Sequence, residues 1–182
     1  MLNDKGLYRA MKRAYKAGGY TVGRMELEGD LWMIAAADQW MVVCPAENFP
    51  RNCLGLVVEH AGMLETGTAM KCEKDNEQTV MPELVQGFWT HLMDLRKQTA
   101  GCAVRTPVWI GGLQVWQDTE NWKVLLMDPA HTSMCLEGDD VNIFPVGDGL
   151  LFEMPDASVF VLQESGEHMQ HLVEHLEKLR IS

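Results

Sequence analysis

Three histidines near the carboxyl end, His168, His171 and His175, come nearest to a spacing that could do chemistry. On a helix the spacing i, i+3, i+7 places all three within about 60° of one another. His171 and His175, one turn apart, could grip a metal ion, with Glu164 or Glu174 close in sequence. Such a site needs a third ligand and a held geometry, and spacing supplies neither. The same histidines border an apolar stripe, where imidazole serves equally well with one edge on the core and a nitrogen in water. The expectation is therefore no bound metal and no cofactor.

The other reactive side chains are less patterned. Five cysteines (44, 53, 72, 102 and 135) lie in apolar or mixed segments with no C-x-x-C pair, which reads as reduced, buried thiols in a cytoplasmic protein. No local context marks a Cys–His nucleophile pair. The chain has no Walker loop, no G-x-S-x-G and no H-E-x-x-H, and Gly111-Gly112 falls between two predicted strands, where a turn accounts for it. Acidic groups at Glu26/Glu28, Glu73/Asp75/Glu77 and Asp139-Asp140 lack the ligand spacing of a calcium loop and read as solvated strand edges and turns. Catalysis is not expected.

Tryptophan carries more promise. Trp32, Trp109 and Trp116 fall on predicted strands with one face open to solvent, and exposed Trp on a sheet makes a hot spot for a partner segment. Thirteen methionines add an adaptable surface, although core gap-filling absorbs most of them. Trp40 and Trp122 are expected in the core.

Charge narrows the partner. The chain has 182 residues and a net charge of −11, with 47% hydrophobic and 23% charged residues, enough to build a core. Residues 1–24 hold six basic side chains against Asp4, a local charge of +5, so the remainder carries −16. An acidic body repels phosphate backbones and anionic membranes, which argues against nucleic acid and membrane and for a protein partner. The apolar runs at 31–37, 40–44 and 124–127 are strand-sized, and no signal peptide is visible.

The elements that must position these residues follow from local pattern. Residues 3–17 read as a helix capped by Asn3 or Asp4 and stopped by Gly18-Gly19, with its basic residues opposite Leu7, Met11, Ala14 and Tyr15. Strands are predicted at 20–28, 31–37 and 40–45. A helix from Pro50 to Ala61 follows, with Leu54, Val57, Val58 and Ala61 inward, then a hairpin at 67–73 and 77–81. Pro82 opens a helix to about residue 98 with a stripe of Leu84, Phe88, Leu92 and Leu95. Beyond it come strands at 104–110, 113–117 and 121–128, a hairpin at 149–154 and 157–163, and a last helix over 166–180.

The order repeats because the sequence does. Slid by 82 residues, Gly19, Val22, Gly29, Leu31, Trp40, Val42, Cys53 and Leu54 meet Gly101, Val104, Gly111, Leu113, Trp122, Val124, Cys135 and Leu136. The fold class is thus α+β: an α-β-β-β-α-β-β unit made twice, with antiparallel sheets, flanking helices and a closing C-terminal helix. The division is 1–99 and 82–182, the helix 82–98 being shared, with the option of one globular body. Symmetry fails around 132–144, where Gly138-Asp139-Asp140 and Pro145 predict a turn or loop in place of a helix.

This element order in an acidic chain without enzyme motifs resembles the class I chaperones of type III secretion and their secretion-chaperone-like relatives, run in tandem. The resemblance implies a protein that holds an extended partner segment over apolar patches, as a covalent pseudo-dimer or a homodimer. A non-catalytic, chaperone-like or regulatory binding protein is the leading expectation. The alternatives are an acidic inhibitor or immunity-type protein that masks a basic partner through segments such as 26–30 and 137–140, and a metal protein or enzyme built on His168, His171 and His175.

Overall fold

The structure, a computed structural model, describes residues 1–74, 76–136, 138, 140–165 and 170–179. Helix α1 (Asp4–Lys16) begins where the Asn3 side chain accepts the Gly6 N–H, and ends where Gly18 and Gly19 turn through positive φ. Strands β1 (Tyr20–Leu27), β2 (Asp30–Ala37) and β3 (Trp40–Pro45) form an antiparallel meander. Helix α2 (Arg51–Ala61) carries the chain back, so that β4 (Thr68–Glu73) pairs with β1 and β5 (Asn76–Val80) with β4. Helix α3 (Pro82–Lys97) then leads into β6 (Ala103–Ile110), β7 (Leu113–Asp118) and β8 (Val124–Met127), a separate three-stranded sheet. A short helix α4 (Pro129–Thr132), strands β9 (Asn142–Val146), β10 (Gly149–Glu153) and β11 (Ser158–Leu162), and helix α5 (Gln170–Glu177) complete the order.

The fold is α+β, and the helix-led unit occurs twice. The two copies nevertheless pair their strands differently. In the first, the hairpin β4–β5 joins its own meander at β1. In the second, the equivalent hairpin β10–β11 leaves β6 unpaired on that side and docks β11 against β3, giving an eight-stranded sheet in the order β5-β4-β1-β2-β3-β11-β10-β9. Two sequence features account for this. At the 82-residue spacing the eleven-residue α2 matches 133–143, where no described residue is helical, and the four-residue α4 matches the stretch just ahead of α2. Strand β6 is also irregular between Arg105 and Trp109, around Pro107, which has no N–H to offer a further strand. The buried side chains of Thr106 and Gln114 mend that stretch: Thr106 Oγ1 donates to Val115 O at 2.9 Å, and Gln114 Nε2 donates to Thr106 O at 2.6 Å.

Alternation along the strands divides the core into layers. On one face of the large sheet Tyr20, Val22, Ala35, Val42, Leu150 and Val161 meet α1, α2 and the inner face of the small sheet, including Trp116, Leu125 and Met127. On the other face Met25, Ile34, Met41, Val43, Leu151 and Phe160 meet α3 through Val85, Trp89 and Leu92. The outer face of the small sheet (Val115, Val124 and Leu126) is closed by Val173 and Leu176 of α5. The amino terminus ties the halves together, since Asn3 N–H donates to Met134 O at 2.7 Å and Gly6 lies so near Ser133 that a Cβ would fall on its carbonyl oxygen. No helix among the described residues is long and apolar enough to cross a membrane.

Several expectations need correction. The described residues from 133 to 141 hold turns and no helix, and they lead into an unforeseen strand, β9, which accommodates Pro145 because no strand among the described residues bonds its outer side. Helix α2 turns Cys53, Leu56 and Val57 inward and leaves Leu54 and Val58 more than two-fifths exposed. Helix α3 buries Val85 and Leu92 while Leu84 and Phe88 face outward. Trp40 is a core residue, but Trp122 is half-buried at a φ of 65°, ahead of β8.

Candidate functional site

Helix α3 is narrower than the sheet face it covers. Along one flank lies a cavity of about 390 Å³ whose floor includes Ala36, Ala37, Met41 and Phe160, with Leu84 and Phe88 of α3 on its wall. Phe88 meets Phe160 edge-on at 6.4 Å, and Leu84 and the neighbouring Met81 stay mostly exposed.

Along the other flank, against the β1–β2 hairpin, lies a groove of about 460 Å³. Trp32 from β2 and Trp89 and Met93 from α3, all half-buried, give it an apolar bed. Its rim is acidic: Glu26, Glu28, Asp30 and Asp94 stand against one cation, Lys97, which is itself bonded to Asp94 at 3.0 Å. The hairpin turn explains how the rim is held. Leu27 pairs with Asp30, so Glu28-Gly29 is a two-residue turn, and both residues have positive φ (55° and 92°). Glycine takes that conformation freely, whereas a glutamate does so at a cost on the order of 1 kcal/mol. Strain of this kind is often stored beside ligand sites.

The three tryptophans singled out by sequence have different fates. Trp32 lies in the acidic-rimmed groove. Trp109 is 56% exposed on β6, in the small sheet, and does not line this groove. Trp116 is buried, edge-on to Phe152 at 5.7 Å between the two sheets, so its expected place at an open surface is corrected: β7 is covered on both faces. Trp89 and Met93 were missed; the signal for them was a second apolar stripe on the same helix, Val85, Trp89, Leu92 and Met93, at the same period as the first.

Among the histidines, His171 and His175 are exposed on α5, and His168 lies outside the described residues. Among the described residues, three groups able to ligate a metal come together at Asp128, His131 and Glu164, one ligand atom of each lying within 4.8 Å of the others. Asp128 caps α4, its Oδ1 accepting the Ala130 N–H at 2.7 Å, and its Oδ2 lies 3.8 Å from His131 Nδ1. Glu164 is held by its own N–H, which donates to Leu126 O at 2.8 Å. His131 Nδ1 is buried without a hydrogen-bond partner. Burial lowers the pKa of this imidazole, and Arg13 lowers it further, while Asp128 and Glu164 act in the opposite direction.

Four of the five thiols are buried. Cys44 and Cys53 are buried, and burial pushes both pKa values up to about 12, which suppresses the nucleophilic thiolate. Cys102 is exposed, and no disulfide joins cysteines among the described residues. Tyr20, raised by burial and by Cys72, meets His60 Nδ1 at 3.0 Å, and His60 stacks on Tyr15 at 3.8 Å. This is a packed polar cluster on the inner side of the sheet.

No family model matches the sequence, and no curated protein matches it. Among solved structures the chain is similar to DNA polymerase III beta subunits. With the sliding clamp of Bartonella birtlesii it shares 10% identity at a TM-score of 0.35, covering 94% of this chain and 67% of that one. With a candidate beta subunit of Eubacterium rectale the values are 8%, 0.42, 93% and 65%. With the beta subunit of Streptococcus pyogenes they are 10%, 0.37, 91% and 64%. The chain thus spans about two thirds of the length of these proteins, and its function has to be sought in its own side chains.

Proposed function

We propose that the protein is a non-catalytic binding protein that holds a basic segment of a partner protein, its cationic side chains flanked by apolar ones, in the groove between α3 and the β1–β2 hairpin. The observation that carries this is one concave site in which Trp32, Trp89 and Met93 lie beneath four carboxylates and a single ammonium. Aromatic and Met surface supplies contact area at low entropic cost, and an aromatic face also attracts Lys or Arg. The carboxylates select basic partners and speed their encounter. A chaperone-like role, as the secretion-chaperone resemblance implies, and a masking role of the inhibitor type make the same demand on this groove: an exposed basic, apolar stretch is covered until it is needed.

The test is selection from a random peptide library on the intact protein, followed by titration of the recovered peptides against wild type, Trp32→Ala and the double reversal Glu28→Lys/Asp30→Lys. Lys- or Arg-rich peptides with apolar neighbours are expected, with affinity reduced about tenfold or more by either change, the scale of an interface hot spot. Affinity should also fall with added salt, because the rim is exposed and screened. Peptides without basic enrichment, or equal affinity for the charge-reversed protein, would end this proposal.

A further inference from the structure

A different part of the molecule supports a second site. Asp128, His131 and Glu164 converge from two segments far apart in sequence, the β8–α4 junction and the stretch between β11 and α5. Helix capping explains one oxygen of Asp128. It does not explain why a second carboxylate is brought to the same place by the Glu164–Leu126 backbone bond, nor why His131 Nδ1 is buried without a hydrogen bond, the Asp128 Oδ2 standing 3.8 Å away. An orphaned ring nitrogen is costly in a protein interior, and two clustered carboxylates repel one another. One divalent cation would answer both.

We infer that Asp128, His131 and Glu164 form a binding site for a divalent transition metal of the zinc class, and that the metal clamps the segment leading to α5 onto the end of β8. One imidazole and two carboxylates are a donor set that zinc accepts, with metal–ligand distances of about 2.0–2.2 Å. The ligand atoms lie within 4.8 Å of one another, and closing around a tetrahedral ion at those distances would draw them to about 3.4 Å apart. Room for a further ligand exists: His131 also lines a cavity of about 250 Å³ between α1 and the β2–β3 turn, together with Gln39, whose Oε1 is likewise buried without a partner. Arg13 lines the same cavity and opposes a cation, but its Nη2 is directed to the Ala130 carbonyl at 3.5 Å. The site is distinct from the partner groove, sharing none of its lining residues.

The experiment is equilibrium dialysis of the full chain against zinc chloride, with bound metal counted by mass spectrometry and thermal unfolding followed with and without zinc. Wild type is expected to bind one equivalent and to unfold at a higher temperature when loaded, since a ligand that binds only the folded state stabilises it. His131→Ala and the gentler Glu164→Gln should each weaken binding at least tenfold and abolish the thermal shift, whereas His171→Ala/His175→Ala should leave both unchanged. Glu164→Gln guards against a His131 variant that fails to fold. No stoichiometric zinc, zinc retained by Glu164→Gln, or zinc lost from the His171/His175 variant would each overturn the assignment.

Discussion

At the scale of single residues, backbone conformation and close approach decide most outcomes. Glu28 occupies a left-handed position where asparagine is far more at ease, and it does so on the rim of the proposed groove. Glu28→Asn should therefore stabilise the fold by about 0.5–1 kcal/mol, a rise of a few degrees in Tm, while weakening capture of basic peptides. A gain in stability without a loss of binding would remove Glu28 from the site. Gly6 faces the opposite constraint: Gly6→Ala should cost about 1–3 kcal/mol in chemical denaturation, because the new methyl group meets a backbone carbonyl that is itself tied to Asn3. Thiol reactivity should separate just as sharply. With a disulfide reagent the native protein should show one fast thiol, absent in Cys102→Ser, and Cys44 and Cys53 should react only on unfolding. The Asn3 cap and the Gly18-Gly19 stop were legible in the sequence because capping chemistry is local. The convergence of Asp128 and His131 with Glu164 was not, since it depends on β8 and the end of β11 arriving side by side.

At the scale of elements, helices α1, α2 and α3 were found at nearly their full extent, and α1 with its inward face, yet the inward faces of α2 and α3 were partly misassigned. Helix α3 carries two apolar stripes that share Leu92, one through Leu84 and Phe88 and one through Val85 and Trp89, and both satisfy the helical period. Periodicity cannot choose between them; the sheet does, by accepting the branched Val85 and leaving Leu84 outside. Aspartate substitutions provide a direct check by urea denaturation. Val85→Asp should cost several kcal/mol by placing an unpaired charge in the core, and Leu84→Asp should fall within about 0.5 kcal/mol of wild type. If the two costs were reversed, the helix would be seated in the phase that the sequence first suggested. Strand β9 was hidden for a related reason. Pro145 argues against a central strand but is permitted on an edge, and which strand lies at an edge is settled only by tertiary pairing.

At the scale of the molecule, the 82-residue repeat announced the duplication but not how the copies would join. Sequence identity marks which elements correspond; sheet order depends on which edges are free, and β10–β11 pairs at β3 with no full middle helix among the described residues between β8 and β9. The junction is the β3–β11 ladder, where Trp40 is opposite Val161 and Val43 is opposite Ser158. A fragment covering residues 1–99 would leave the apolar β3 (Trp40, Met41, Val42, Val43 and Cys44) at an open edge, so it should self-associate or aggregate where the full chain does not. Sedimentation of fragment and full chain at matched concentration distinguishes these outcomes, and a stable monomeric fragment would show that the first copy needs no partner edge. The same ladder sets a clock on biosynthesis. Strand β3 and the strand that covers it lie about 120 residues apart, and at 5–20 residues per second a ribosome needs on the order of ten seconds to make the second after the first. For that interval every nascent chain displays an uncovered hydrophobic edge, and neighbouring chains on one messenger display the same one.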